Sequence, residues 1–501
     1  MTVSGKSSHS QILKSSSLIG GSSVINILVG MIRVKFTAVY LGTIGVGLFG
    51  AYNTILGPLA MLAGMGINSS GVRQIAEAAG KGDQEAIARS LLTVRRVSWV
   101  TGLLGMILLI SLAHPLSIAT FGNTSQVTAL CILSSTLLIG SVAGGFGAII
   151  QGTRRIRDMA LQGIIGSIAS LPISIPIMML WRENGLVPMM LISALFSCLT
   201  TWWFSRRVKT VSLQMSLRET WTEAQPLLKL GLVFMSTGLM GAAAAYIQRM
   251  LIIRMLGIEA NGIYSSAWNL SNYYIGFILG AMGADFYPRL TAVNHNNKEV
   301  NRLVNEQTEV GILMALPGII ATITLAPIII NVFYTTAFLS AVDLLRWQTL
   351  GLMLRLISWP IGFIMLAKGE KGWYFWNEFL SNLVSIGFMW LGIHFFGLLG
   401  TGIAFFGLYV YYLGAMIFAS KILTGFKWTS NSNKLLIIST ILLLATSLIV
   451  RIINTHTAAV IGCMISFTTG WFSLLEITRL TGSNPVSSFL NKVKNIIPRK
   501  A

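Results

Sequence analysis

Residues 13–67 read LKSSSLIGGSSVINILVGMIRVKFTAVYLGTIGVGLFGAYNTILGPLAMLAGMGI, and this stretch decides the fold. Its three charges are Lys14, Arg33 and Lys35; the rest is apolar, small or weakly polar. A helix needs about 20 mostly apolar residues to cross the hydrocarbon core. The stretch therefore supplies two spans, near 15–34 and 44–67, parted around Leu41-Gly42.

The same reading, carried outward, places spans near 97–113, 125–150, 160–181, 185–204, 229–253 and 262–286. Six more follow near 310–331, 345–367, 373–395, 397–420, 434–452 and 457–477. Composition agrees: 54% of the 501 residues are hydrophobic and only 10% are charged, with a mean hydropathy of +0.72. A soluble domain keeps about a quarter of its residues charged. Met1–Ser10 is polar and shows no apolar core before a cleavage site, so no signal peptide is expected and the first apolar run is read as a span. The cysteines at 131, 198 and 463 each sit in an apolar run, far apart, and read as packed thiols.

A formal charge of +20 would point to nucleic acid in a soluble chain. Here the first question is where the charges fall. With the N-terminus inside, 28 of the 36 basic residues lie in cytoplasmic segments, from Lys6 and Lys14 through Arg154-Arg155 and Arg206-Arg207 to the tail after Arg479. The charge is thus a topology signal, with both termini expected in the cytoplasm and no nucleic-acid partner. Two of these segments, 73–96 and 289–309, mix both charge signs with apolar residues at helical spacing. They read either as helices on the membrane surface or as solvated linkers.

Sliding the chain against itself by 215 residues sets Leu13-Lys14 on Leu228-Lys229, Leu41-Gly42 on Leu256-Gly257, and Gly47 on Gly262. At an offset of 217, Ala63-Gly64-Met65-Gly66 meets Gly280-Ala281-Met282-Gly283, and Gln151-Gly152 meets Lys368-Gly369. Gly185-Leu186 corresponds to Gly397-Leu398. A repeat of six helices enters the membrane twice from the same side, which is the parallel-repeat class of transporter. The expectation is an all-α polytopic membrane protein of about fourteen transmembrane helices. It divides into six-helix lobes at 11–210 and 226–425, a further helix pair at 434–477 and a basic tail at 478–501, with a cavity between the lobes.

Signals for an enzyme are nearly absent. No carboxylate pair sits at short spacing in an apolar stretch, and the five histidines lack metal-ligand spacing, so no metal or other cofactor is expected. Gly45-Val46-Gly47-Leu48-Phe49-Gly50 matches a dinucleotide fingerprint, but that motif needs a preceding strand. Between two spans it reads as a turn and a close helix contact.

Ionisable residues at membrane depth are functional candidates by default. Arg355 lies mid-span in the tenth helix. Arg33 lies late in the first and Arg249 late in the seventh, its repeat counterpart, so the pair would face each other across the cavity; snorkelling to the outer interface is the alternative. Lys35 and Arg254, nearby, read more readily as interface charges. Asp285 is either a coupling carboxylate or an i, i+4 partner of Arg289. Trp268, Asn269 and Tyr273 suit sugar contacts or helix packing equally. A cationic cavity favours an anionic cargo, because guanidinium binds phosphate bidentately.

Ile12-Leu13-Lys14-Ser15-Ser16, Arg33-Val34-Lys35, Tyr40-Leu41-Gly42, Gly45–Phe49 and Gly64-Met65-Gly66-Ile67 together resemble the Wzx-type polysaccharide flippases. These belong to the multidrug/oligosaccharidyl-lipid/polysaccharide exporter superfamily. The resemblance runs through the whole chain in span pattern and repeat. It implies a V-shaped, MATE-like pair of lobes in the bacterial inner membrane. By alternating access these would carry an undecaprenyl-diphosphate-linked oligosaccharide, such as an O-antigen unit, to the periplasmic leaflet. The resemblance also implies basic residues in the lumen, matched here by the depth of Arg33, Arg249 and Arg355. Membrane lipids, a polysaccharide polymerase and a chain-length regulator are the implied partners. The helix pair beyond twelve resembles the branch that handles peptidoglycan precursors. That flippase and a multidrug or cation exporter are the alternatives, and an O-antigen polymerase is a rival of another class.

Overall fold

The computed structural model describes residues 4–208, 210–211 and 213–481; the side chains of 4–19, 233, 237, 274, 277, 281, 283–285 and 480–481 lie outside that description. The described residues are mostly helical, joined by short connections, with no strand among them. The first elements are α1 (Ser4–Gly64), α2 (Ile67–Lys81), α3 (Gln84–Phe121) and α4 (Val127–Gly152). Next come α5 (Ile156–Trp181), α6 (Leu186–Ser205), α7 (Leu217–Leu256), α8 (Ile258–Ala292) and α9 (Asn297–Phe333). The chain finishes with α10 (Ala341–Lys368), α11 (Lys371–Thr424), α12 (Ser430–Ile452) and α13 (Thr455–Thr481).

Ten helical stretches among the described residues are long and apolar enough to cross a membrane. Three of them, Gly20–Lys81, Ile156–Ser205 and Lys371–Thr424, hold two of the expected spans each, and α8 carries the remaining one. The protein is a multi-pass membrane protein with the fourteen expected spans. Its expected C-terminal pair corresponds to α12 and α13, and the basic tail from 482 onward lies outside the described residues.

Glycine makes the turns between consecutive spans short. At Gly42 the backbone adopts φ 62°, ψ −157°, and this breaks α1 into its two spans. Gly257, its repeat counterpart, has φ 91°, ψ 171° between α7 and α8. Both lie in a region open essentially to glycine alone. No unpaired stretch of loop is then needed at the edge of the hydrocarbon.

The described chain packs as two compact units. One is formed up to Ser265 together with Phe333–Ala337, the other by Ser266–Val332 and the chain from Phe338 onward. The division falls inside α8. The lobes 11–210 and 226–425 are drawn on the repeat and stand beside this division as a proposal. In the first unit, Tyr52, Ile55, Leu109, Leu130, Leu133 and Met178 are buried together. In the second, Ile319, Ile320, Ile323, Leu352 and Leu356 form the equivalent core.

Of the two mixed-charge segments, 73–96 becomes the end of α2 and the start of α3. Helix α2 buries Ile67, Ser70, Gly71, Ile75 and Ala78 on one face, at the three- and four-residue spacing of a helix side. Segment 289–309 is the end of α8 and the first turns of α9, so most of it extends a transmembrane helix and is no separate element. Helix α7 opens on a capping box in which Ser216 and Glu219 bond each other's backbone amides. Those bonds hold the Glu219 carboxyl below the usual range.

The extra helix pair is tied to the second unit by polar groups. Buried Glu309 on α9 accepts from Ser432 Oγ at 2.6 Å, Asn431 Nδ2 at 2.9 Å and Thr429 Oγ1 at 3.1 Å. Beside it, Asn305 Oδ1 accepts from the Thr429 amide at 2.9 Å and Ser432 Oγ at 2.8 Å.

Two outcomes are expected. Gly42→Ala forces a side chain into the restricted region at a cost of about 1–3 kcal/mol, read as a lower melting temperature in detergent. Glu309→Leu strands the donors at the start of α12, each worth about 1–3 kcal/mol. Limited proteolysis should then cut near 427–434, where wild type resists.

Candidate functional site

In the first unit, α5 presents Gly163, Ser167, Ser170 and Ser174 on one face, which meets α1. Ser167 Oγ donates to Asn26 Oδ1 at 2.8 Å, and Arg33 Nη2 donates to Ser170 Oγ at 2.6 Å. Small residues let the two helices approach closely enough for these bonds. Arg33 Nε is buried and has no hydrogen-bond partner. A buried donor left open in this way calls for an explanation, and an anion is the natural acceptor.

Arg249, late in α7, is held by the start of α8. Its Nη1 donates to Asn261 Oδ1 at 3.0 Å and to Ser265 Oγ at 2.5 Å, and the guanidinium lies 4.9 Å from the Tyr264 ring centroid. Asn261 in turn donates through Nδ2 to the Gly47 carbonyl at 2.6 Å. Here the glycine motif explains itself. A Cβ on Gly47 would strike the Ile258 carbonyl, one on Gly262 would strike the Thr43 carbonyl, and one on Gly50 would crowd Ser265 and Arg249. The motif is a backbone-on-backbone crossing of α1 and α8. Arg33 and Arg249 each have their own neutral oxygen partners.

Lys35 donates to the Tyr334 carbonyl, and Arg254 Nη1 donates to the Ile118 carbonyl at 3.3 Å beside Gly122. Both serve helix-end or turn carbonyls, the geometry of an interface charge.

The second unit contains a cavity of about 350 Å³ between α10 and the two halves of α11. Arg355 and Glu378 both line it, with Ser381, Asn382, Tyr409 and Tyr412. Arg355 Nη1 donates to Asn272 Oδ1 at 3.0 Å and the guanidinium sits 6.0 Å from the Tyr409 ring. Tyr412 donates to Glu378 Oε1 at 2.9 Å. Among the described residues Arg355 and Glu378 form no ion pair. Ser381 Oγ is buried without a partner. One wall is thus cationic and the other carries acceptors and hydroxyls, so the cavity can hold an anionic group and sugar-like hydroxyls together.

Of the expected sugar contacts, Trp268 packs edge-on against Phe405 at 5.5 Å, and Phe405 packs on Tyr409 at 4.9 Å. It belongs to an aromatic row that ends at the cavity. Asn269 and Tyr273 are half-buried. The side chain of Asp285 lies outside the described residues. Glu378, Asn272, Asn261 and Tyr412 were not among the expected site residues. Glu378 lies within the span expected at 373–395, nearer to its end than Arg355 is in its own span.

Asn261→Leu leaves both Arg249 Nη1 and the Gly47 carbonyl short of a partner. A loss of about 2–4 kcal/mol is expected, measured as the melting temperature; Asn261→Gln should recover part of it.

Comparisons with known proteins bear on the family and the fold. A sequence profile described as polysaccharide biosynthesis protein matches residues 12–294. The lipid III flippase of Escherichia coli (strain K12) is 24% identical over 407 residues, 80% of this chain and 96% of that protein, and the Shigella flexneri protein of that name matches equally. Among solved structures, the lipid II flippase MurJ in an inward closed conformation superposes with a TM-score of 0.70 at 16% identity, over 92% of this chain and 99% of that one. An inward-facing multidrug resistance MATE family transporter of the MOP superfamily gives 0.66 at 17%, over 80% and 95%. These likenesses show the fold.

Proposed function

Because the chain belongs to the polysaccharide biosynthesis protein family, we propose that it is a flippase for a polyprenyl-diphosphate-linked oligosaccharide, moved between leaflets by alternating access. The observation that carries this reading is Arg355 in a walled cavity with Glu378, Asn382 and two tyrosines. A guanidinium fixed by a neutral amide keeps its full charge for a phosphate. The carboxylate, amide and phenols opposite suit the hydroxyls of a sugar. Arg33, with its open Nε, and Arg249 supply further cationic positions. The finer reading is an undecaprenyl carrier bearing an O-antigen or related surface-polysaccharide unit. The protein would then sit in a bacterial inner membrane with both termini cytoplasmic, and a polymerase and a chain-length regulator would take up the product.

Binding shifts a two-state transporter only through different affinities for its two states. The diphosphate must therefore be held more tightly in one state than in the other. A second reading draws on Glu378: a carboxylate in the same cavity is what an exporter of organic cations would use. The peptidoglycan-precursor branch that the extra helix pair resembles supplies an alternative lipid-linked cargo.

The test is translocation of lipid-linked oligosaccharide in reconstituted vesicles. Arg355→Ala should slow it at least about tenfold, the worth of one charge-assisted hydrogen bond, with smaller losses for Arg33→Ala and Arg249→Ala. Glu378→Gln should retain most of the transport. Transport of an organic cation, abolished by Glu378→Gln and indifferent to Arg355→Ala, would sink the flippase reading in favour of the exporter.

A further inference from the structure

The basic ends of α3, α4 and α6 enclose a second cavity, of about 380 Å³, within the first unit. Five arginines gather at this corner, and three have protein acceptors. Arg96 donates to the Met215 carbonyl at 2.8 Å and to Thr220 Oγ1 at 2.5 Å. Arg155 and Arg207 share Asp158, at 2.7 and 3.5 Å.

Arg95 and Arg206 are different. Each has its guanidinium near an aromatic ring, Arg95 at 5.7 Å from Phe146 and Arg206 at 4.8 Å from Trp202. Among the described residues neither guanidinium makes an ion pair or a hydrogen bond, and both residues line the cavity. A guanidinium resting on a ring keeps its in-plane N–H donors. Among the described residues no carboxylate lines the cavity; the rest of its wall includes Leu91, Ile149 and Val211. Val211 and Trp202 are exposed at its margin, as suits the boundary between hydrocarbon and water.

We propose that this cavity is a binding site for the headgroup of an anionic phospholipid. The phosphodiester lies between Arg95 and Arg206, and the glycerol and upper acyl chain lie along the apolar wall. Two cations without a carboxylate partner, in a cavity with no carboxylate among its described lining residues, select a net-negative headgroup over a zwitterionic one, whose ammonium would find no partner there. The apolar wall selects a lipid over a free anion. The site is separate from the Arg355 cavity, and its occupancy does not depend on what that cavity carries.

Native mass spectrometry of the full chain, released from detergent containing phosphatidylglycerol, phosphatidylcholine or inorganic phosphate, reads this directly. Wild type should retain phosphatidylglycerol and neither of the other two. The Arg95→Gln, Arg206→Gln pair should lower that retention about tenfold or more, the worth of a lost charge-assisted bond. A charge-matched pair elsewhere, Lys421→Gln with Lys427→Gln, should retain it as wild type does. Phosphatidylglycerol should also raise the melting temperature of wild type, by mass action, and not that of the arginine pair. Retention unchanged in a folded arginine pair overturns the proposal, as does equal loss in the lysine pair. Equal retention of phosphatidylcholine overturns it too, and inorganic phosphate held in place of the lipid shows a free-anion site instead. The lysine-substituted pair, Arg95→Lys with Arg206→Lys, keeps the charge; it should hold more lipid than the glutamine pair, and an equal loss counts against the site.

Discussion

Hydrocarbon offers no water to a peptide amide or carbonyl, and each one left unpaired at depth costs several kcal/mol. Much of the architecture answers to that constraint. It makes the described residues helical and keeps the turns at Gly42 and Gly257 so short that only glycine fits. It also explains where two of the outlying cations go. Lys35 and Arg254 each donate to a carbonyl at a turn or helix end, Tyr334 and Ile118, the second of which also accepts from the Gly122 amide. A long cationic side chain is suited to this, since its stem lies along apolar surface while its head reaches the oxygen.

Charge inside the spans obeys a related rule. Arg33, Arg249 and Arg355 are held by Ser170, by Asn261 with Ser265, and by Asn272, all neutral oxygens. At the basic ends the pattern changes, and Arg155 and Arg207 pair with the carboxylate of Asp158. A neutral partner orients a guanidinium without cancelling its field, whereas a carboxylate does both. Glu309 shows the same arrangement with the sign reversed, a carboxylate surrounded by hydroxyl and amide donors. Such groups hold their geometry while keeping their charge for something else.

The spans and their breaks were legible because hydropathy and glycine are local signals. The crossing of Gly47 and Gly262 was half legible. The motif announced close contact, but its partner lay more than 200 residues away and emerged only through the repeat. Backbone carbonyls carry no mark in a sequence, so the roles of Lys35 and Arg254 could be sorted only as interface charges. Glu378 is another matter: it sits inside an expected span but near its end, where depth marks it less clearly than it marks Arg355. The choice between sugar contact and packing for Trp268 turned on Phe405, a neighbour that no local pattern names. The boundary between the packed units falls within α8, where an unbroken helix gives no compositional hint.

Gly47 and Gly262 occupy the same rung of the two repeats, and they touch. A position that meets its own copy lives under a doubled condition. In a chain descended from a duplicated half, one ancestral glycine would have furnished both faces of the contact, as in a symmetric dimer whose interface is built from a single patch. Any side chain gained there before the duplication would have been gained twice, on opposite sides of the same gap. After fusion, either copy alone can still block the crossing, and neither can make room for the other. The halves can diverge in the polar groups they carry, as Arg33 and Gln248 have at matching depth, while this rung remains shared ancestry written into a contact.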